Sequence, residues 1–196
     1  MTRGPDKQFD PAVALDRAVE VFWANGYEAA SLSELLKHMG IGKKSLYDTF
    51  GNKRSLFLKA LAHYAHTTHQ SIRDRLSTPG SPLANLQHLL QDWQTMHSQP
   101  GSCGCMLGTN IADFNTDDAE IARVMRGYLQ SIEDTLTTTL TRAQAAGELR
   151  PEADPRNLAR LLLLMTQGMA LVGRVMEEDT TIKGSVDAAI ALLKQS

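Results

Sequence analysis

The chain has 196 residues, 42% of them hydrophobic and 21% charged, with a net charge of −2. That balance is too apolar for intrinsic disorder, and a chain of this length buries enough surface to fold without disulfides or a structural metal. The charge-free apolar stretch at residues 161–173 falls well short of the ~20 residues of a membrane span, and charged residues precede any N-terminal apolar run, so a soluble cytoplasmic protein is expected rather than a membrane or secreted one.

Apolar residues recur at helical spacing almost throughout, and the prolines and glycines punctuate them. Ala14, Leu15, Ala18, Val19 and Phe22 form the first stripe, with Gly26 as its stop. Ser31 and Glu34 have capping-box spacing ahead of a short helix whose inner face is Leu32, Leu35, Leu36 and Met39. Beyond the turn at 40–42, a second short helix over about 43–49 points Leu46 and Phe50 inward. Asn52 opens a fourth helix reaching about residue 76, where Thr78, Pro79, Gly80 and Pro82 break it.

Helices are then expected over about 83–96 and 105–113, on either side of a loop at 100–104. A long one begins near Asp117 and Asp118 and stops at Gly147. Two more follow, over about 154–178 and 181–193. No β-alternation is present. The expectation is an all-α fold of about nine helices, divided into residues 1–55 and 56–196.

Charge is unevenly spread. Residues 36–59 hold six basic residues (Lys37, Lys43, Lys44, Lys53, Arg54 and Lys59) against Asp48 alone, a local anion-binding face on a mildly acidic chain. Two short amphipathic helices joined by a tight glycine turn make the helix-turn-helix pattern, whose second helix enters the major groove of DNA. Lys43 and Lys44 occupy the first turn of that second helix, where the macrodipole disfavours cations, so either both are merely solvated or a phosphate or guanine edge supplies the missing negative partner. Tyr47 offers a hydroxyl one turn later, and Lys53 opens the next helix beside free backbone N–H groups. Asp48 fits either a cytosine amine or an ion pair with Lys44.

Residues 19–27 (VEVFWANGY), 31–35 (SLSEL) and 39–57 (MGIGKKSLYDTFGNKRSLF) resemble the N-terminal domain of tetracycline-repressor (TetR) type regulators. The resemblance implies a homodimer on palindromic operator DNA, with Ser31, Lys43, Lys44, Ser45, Tyr47 and Lys53 at the DNA. It further implies a C-terminal domain whose small effector changes the separation of the two recognition helices. Thr49 departs from the aromatic or His often found at that position. The C-terminal half resembles the family only in layout, apart from the Gly-Cys-rich turn at 103–108.

That half offers Trp93, Met96, Met106, Phe114, Met125, Tyr128, Met165 and Met169 either as core or as the lining of an effector cavity, with Asn110, Gln167 or the Tyr128 hydroxyl as polar anchors. A largely apolar or aromatic effector follows. Leu161 to Leu164 are apolar all round their helix, so one side must meet another surface; Leu161, Leu164, Val186, Ile190 and Leu193 are assigned to a dimer interface. Cys103 and Cys105 read as packed thiols, with a redox or electrophile sensor as the alternative. His63, His66 and His69 fan around one helix and cannot share an ion, and no metal, cofactor or enzymatic motif is expected. A helical protein–protein adaptor is the rival to a regulator, separable by salt-sensitive binding to duplex DNA.

Overall fold

The computed structural model describes residues 9–111, 118–176 and 180–194, with the side chains of Thr109 and Ile111 left out. Among these residues there are nine helices and no strands: α1 Pro11–Ala29, α2 Leu32–Met39, α3 Lys43–Phe50, α4 Lys53–Leu76, α5 Pro82–His97, α6 Met106–Ile111, α7 Ala119–Ala145, α8 Pro155–Val172 and α9 Thr180–Lys194. The chain divides into two units after Tyr64, within α4.

In the first unit an aromatic cluster forms the centre. Phe22 meets Phe57 edge-on with ring centroids 5.0 Å apart, Tyr27 lies 4.9 Å from Phe57, and Trp23 lies 5.2 Å from Tyr64. Gly26, expected to end the first helix, instead interrupts it. Its φ of 76° breaks the helical path for one residue, and the helical turn resumes through Ala29, which turns Tyr27 onto Phe22 and Phe57. Leu35, Leu46 and Leu56 are fully buried in the same unit.

The second unit is built around α7 and α8, with α5 against both and α9 against α5 and α8. Helix α8 stops at Val172, short of the expected 178, because its end is pressed onto the α5–α6 connection. A side-chain carbon at Gly173 would lie 2.3 Å from the His97 carbonyl oxygen, and one at Gly104 would lie 2.3 Å from the Ala170 carbonyl oxygen. Two missing side chains therefore permit this approach. On the opposite side Glu133 of α7 accepts hydrogen bonds from Arg156 Nε at 3.0 Å and Arg160 Nε at 3.1 Å of α8. The Arg156 bond, with help from Arg160, holds the Glu133 carboxyl below its ordinary range. Among the described residues no helix is long and apolar enough to cross a membrane.

Candidate nucleic-acid interface and ligand cavity

The helix–turn–helix segment is held by local devices. Ser31 Oγ accepts from the Glu34 N–H at 3.1 Å, which satisfies one free donor at the start of α2. Glu34 does not complete the capping box; its carboxylate accepts from Asn25 Nδ2 at 2.8 Å and so ties α2 to α1. Gly40 takes the left-handed conformation (φ 69°) that closes α2, and both its own N–H and that of Ile41 bond to Leu36 O.

Helix α3 starts bare. Its N-cap is Gly42, no side chain caps it, and its first turn contains no acid. Lys43 and Lys44 are exposed on that turn, Tyr47 is exposed one turn on, and Ser45 is half-buried, while Leu46 and Phe50 hold the opposite face in the core. Four free N–H groups and two cations thus share one end of an exposed helix, an arrangement that favours an anion. Lys44 and Asp48, both exposed, form no ion pair among the described residues.

Two lysines of α4 serve α3 and its surroundings. Lys53 Nζ lies 4.6 Å from the Tyr27 ring centroid and donates to Glu28 O at 3.3 Å, so its ammonium is already engaged. Lys59 Nζ donates to Thr49 O at 3.2 Å and Phe50 O at 3.3 Å. It caps the C-terminus of α3, where a cation is favourable. Sequence reasoning counted Lys59 only as charge; no local pattern connects it to carbonyls ten and nine residues back. Ser31 is exposed at the head of α2.

The candidate cavity residues scatter. Gln167 lines a cavity of about 350 Å³ between α6, α7 and α8, together with Cys105, Gly108, Leu129, Leu164 and Leu171. Met165 and Met169 line a separate one of about 230 Å³ between α8 and α9. Met106, Met125 and Tyr128 are buried and line neither. Asn110 is also buried; its Nδ2 donates to Met106 O at 2.7 Å, while its Oδ1 has no partner among the described residues. Met96 is exposed, because the inward positions of α5 pass through Leu86, Leu90 and His97 and leave 96 on the outside; Trp93 is half-buried. Phe114 lies outside the described residues.

The interface candidates also divide. Leu161 and Leu164 are exposed and Ile190 is half-buried, but Val186 and Leu193 are 0% and 2% exposed within one chain. Those two are core residues: the inner stripe of α9 faces its own unit, so its outer face carries Gly184, Ala188, Ala191 and Leu192 instead. Cys105 is buried and Cys103 half-buried, both unbridged. His63 bonds to Asp16 and His69 to Thr135, so these two histidines turn to different neighbours. No cluster of three or more metal-ligating side chains occurs among the described residues.

Two family models match the chain. Residues 14–60 fit the bacterial regulatory proteins of the tetR family, and residues 82–189 fit the tetracyclin repressor-like C-terminal domain. The chain belongs to the TetR family of transcriptional regulators. The uncharacterized regulator YezE of Bacillus subtilis is 33% identical over 97% of this chain and 99% of its own. The repressor ComR of Escherichia coli is 32% identical over 88% and 83%. Among solved structures, the TetR family regulator CifR, as a cysteine mutant with 26-bp double-strand operator DNA, superposes with a TM-score of 0.81 at 28% identity, covering 95% of this chain and 98% of that one. As a TetR-family protein this is a DNA-binding transcriptional regulator and not an enzyme.

Proposed function

We propose that this TetR-family regulator is a cytoplasmic repressor that binds a palindromic operator as a homodimer and releases it when a small effector occupies the C-terminal part of the chain. The DNA-binding region is residues 1–55 and the effector and dimer region 56–196. The observation that carries the DNA reading is the bare N-terminus of α3, with Lys43 and Lys44 in its uncapped first turn and Tyr47 on the same exposed surface. In the complex Lys43, Lys44 and Tyr47 approach bases and phosphates of the major groove, while Ser31 and Ser45 hold the flanking backbone. Lys53 supports Tyr27 and lies at the first turn of α4, where a phosphate would share it.

The repressor reading is supported by ComR, which is named a repressor. The homodimer reading is supported by the exposed apolar side chains of Leu161 and Leu164 on α8 and of Leu192 on α9, and by CifR's 26-bp operator, long enough for two half-sites. The effector is largely apolar or aromatic, with Gln167 as the best-placed polar anchor. Enrichment of duplexes from a random pool on the purified chain tests the reading. Bound sequences are expected to share an inverted repeat, and five added base pairs at its centre, half a helical turn, should abolish binding. Enrichment without a repeat, or tolerance of the insertion, would refute the dimeric reading, and no enrichment at all would favour a protein–protein adaptor.

A further inference from the structure

The charges of α3 run against the order that stabilises a helix. Anions are favourable at an N-terminus and cations at a C-terminus. In α3 the cations Lys43 and Lys44 occupy the first turn and the acid Asp48 lies in the last, with no acid in the first turn and no base in the last. Base before acid is also the weaker order for a pair four residues apart, such as Lys44 and Asp48. Helix stability therefore does not account for these residues. At about 100° per residue, Lys43, Tyr47, Lys44 and Asp48 fall in that order along an arc of about 140°. All four are exposed, while Leu46 and Phe50 are buried on the other side.

Nothing in the described protein claims the acid. Lys43, Lys44, Tyr47 and Asp48 make no side-chain hydrogen bond or ion pair among the described residues. The lysines of α4 are turned elsewhere: Lys53 to Glu28 O and the Tyr27 ring, Lys59 to Thr49 O and Phe50 O. Asp48 is thus the one acid on an arc whose other members, two ammonium groups and a phenol, can all donate to DNA. A phosphate rewards the two lysines and repels Asp48. A carboxylate only accepts hydrogen bonds, so on this face it must meet a donor or weaken every complex the face makes.

In the major groove the only donors are the amines of cytosine and adenine. Guanine presents O6 and N7 and thymine presents O4, all acceptors that repel a carboxylate. Adenine's N6 amine stands between its own N7 and the O4 of the paired thymine, with an acceptor on either side. Cytosine's N4 amine has an acceptor on one side only, the O6 of the paired guanine. Cytosine is the base that a lone carboxylate fits. We propose that Asp48 is a specificity-determining residue, its carboxylate accepting from the N4 amine of one cytosine in each half-site. The proposal rests on the reading of α3 as the helix that enters the major groove, and names the base its acid selects.

The test compares the duplexes that full-length wild type, Asp48→Asn and Asp48→Ala each enrich from one random pool. Position 48 is exposed, so both variants should fold. Each half of the wild-type sequence should contain a cytosine that Asp48→Ala leaves unspecified. Asp48→Asn should exchange it for adenine, because a carboxamide accepts from N6 and donates to N7. On single duplexes wild type should lose about tenfold when that cytosine becomes thymine. N4-methylcytosine at the same position keeps the pairing proton and gives up the one facing the major groove. It should cost wild type about as much as thymine and cost Asp48→Ala little, a readout that holds even if Asp48→Asn binds no duplex. One shared consensus from all three chains overturns the proposal and leaves the DNA reading in place. Wild type that tolerates N4-methylcytosine also overturns it, since Asp48 would then serve only to orient Lys44 toward the paired guanine. A wild type that enriches nothing overturns the DNA reading itself.

Discussion

Gly104→Ala should be the most damaging single-methyl change in the described part of the second unit. Two independent costs add at this position. Gly104 has a φ of +71°, and an L-residue in the left-handed region costs roughly 1–2 kcal/mol. The added carbon would also lie 2.3 Å from the Ala170 carbonyl oxygen and 3.2 Å from its carbon. Those are backbone atoms of α8, so no side chain can swing away, and overpacking of this kind costs about 1–3 kcal/mol. The sum is about 2–5 kcal/mol, and at about 2–4 °C per kcal/mol for a chain of this length the melting temperature should fall on the order of 10 °C. Gly127→Ala is the matched control. Gly127 is exposed within α7 and has nothing within 4 Å of an added carbon, so it should gain about 0.5–1 kcal/mol from helix propensity. Thermal unfolding by circular dichroism at one fixed protein concentration reads both. A Gly104→Ala melting temperature within about 1 °C of wild type would refute the contact between the α5–α6 connection and α8.

Lys59→Met should weaken operator binding several-fold without changing its salt dependence, because Lys59 holds the last carbonyls of α3 rather than a phosphate; a salt slope reduced by about one unit would show that it contacts DNA instead. His97 is buried, and burial lowers its pKa, so below its ordinary value of about 6.5 the unfolded chain takes up a proton that the folded chain refuses. Stability should therefore be full above that pH and decline as the pH falls from 7 to 5.5, with a flatter decline in His97→Asn; His69, lowered mainly by its own burial, is common to both proteins, and equal slopes would contradict the assignment.

What the chain reveals by eye is what neighbours in sequence decide. The α2–α3 hairpin was legible because its stripe, the Ser31 cap and the Gly40 stop are all set within a few residues. The basic first turn of α3 was legible for the same reason. Contacts between distant segments were not. Lys59 meets the carbonyls of Thr49 and Phe50 only because α4 doubles back beside α3, and Glu34 bonds to Asn25 rather than to its own cap because α1 lies within reach. The early end of α8 depends on two glycines packed against carbonyls some seventy residues away. Periodicity identified α9 as amphipathic but carried no information on whether its apolar stripe faced its own unit or a partner. Val186 and Leu193 were misassigned for that reason, and the small outer residues at 184, 188 and 191 were passed over. Methionine alone could not mark a cavity, because the same side chain fills a core, as Met106 and Met125 do, as readily as it lines a void, as Met165 and Met169 do.

The claim that α3 reads DNA is tested most directly by titrating a fluorescent duplex from the gene's own upstream region with wild type, Lys43→Ala, Lys44→Ala and Tyr47→Phe across a potassium chloride series. All three sites are exposed, so the variants should melt with wild type. The expected result is wild-type binding whose logarithm falls linearly with the logarithm of salt, with each lysine variant weaker by about 1–3 kcal/mol or with a slope reduced by about one unit. Tyr47→Phe should lose affinity on the operator and little on random duplex. Wild-type affinity in all three variants, or binding that ignores salt, would contradict it.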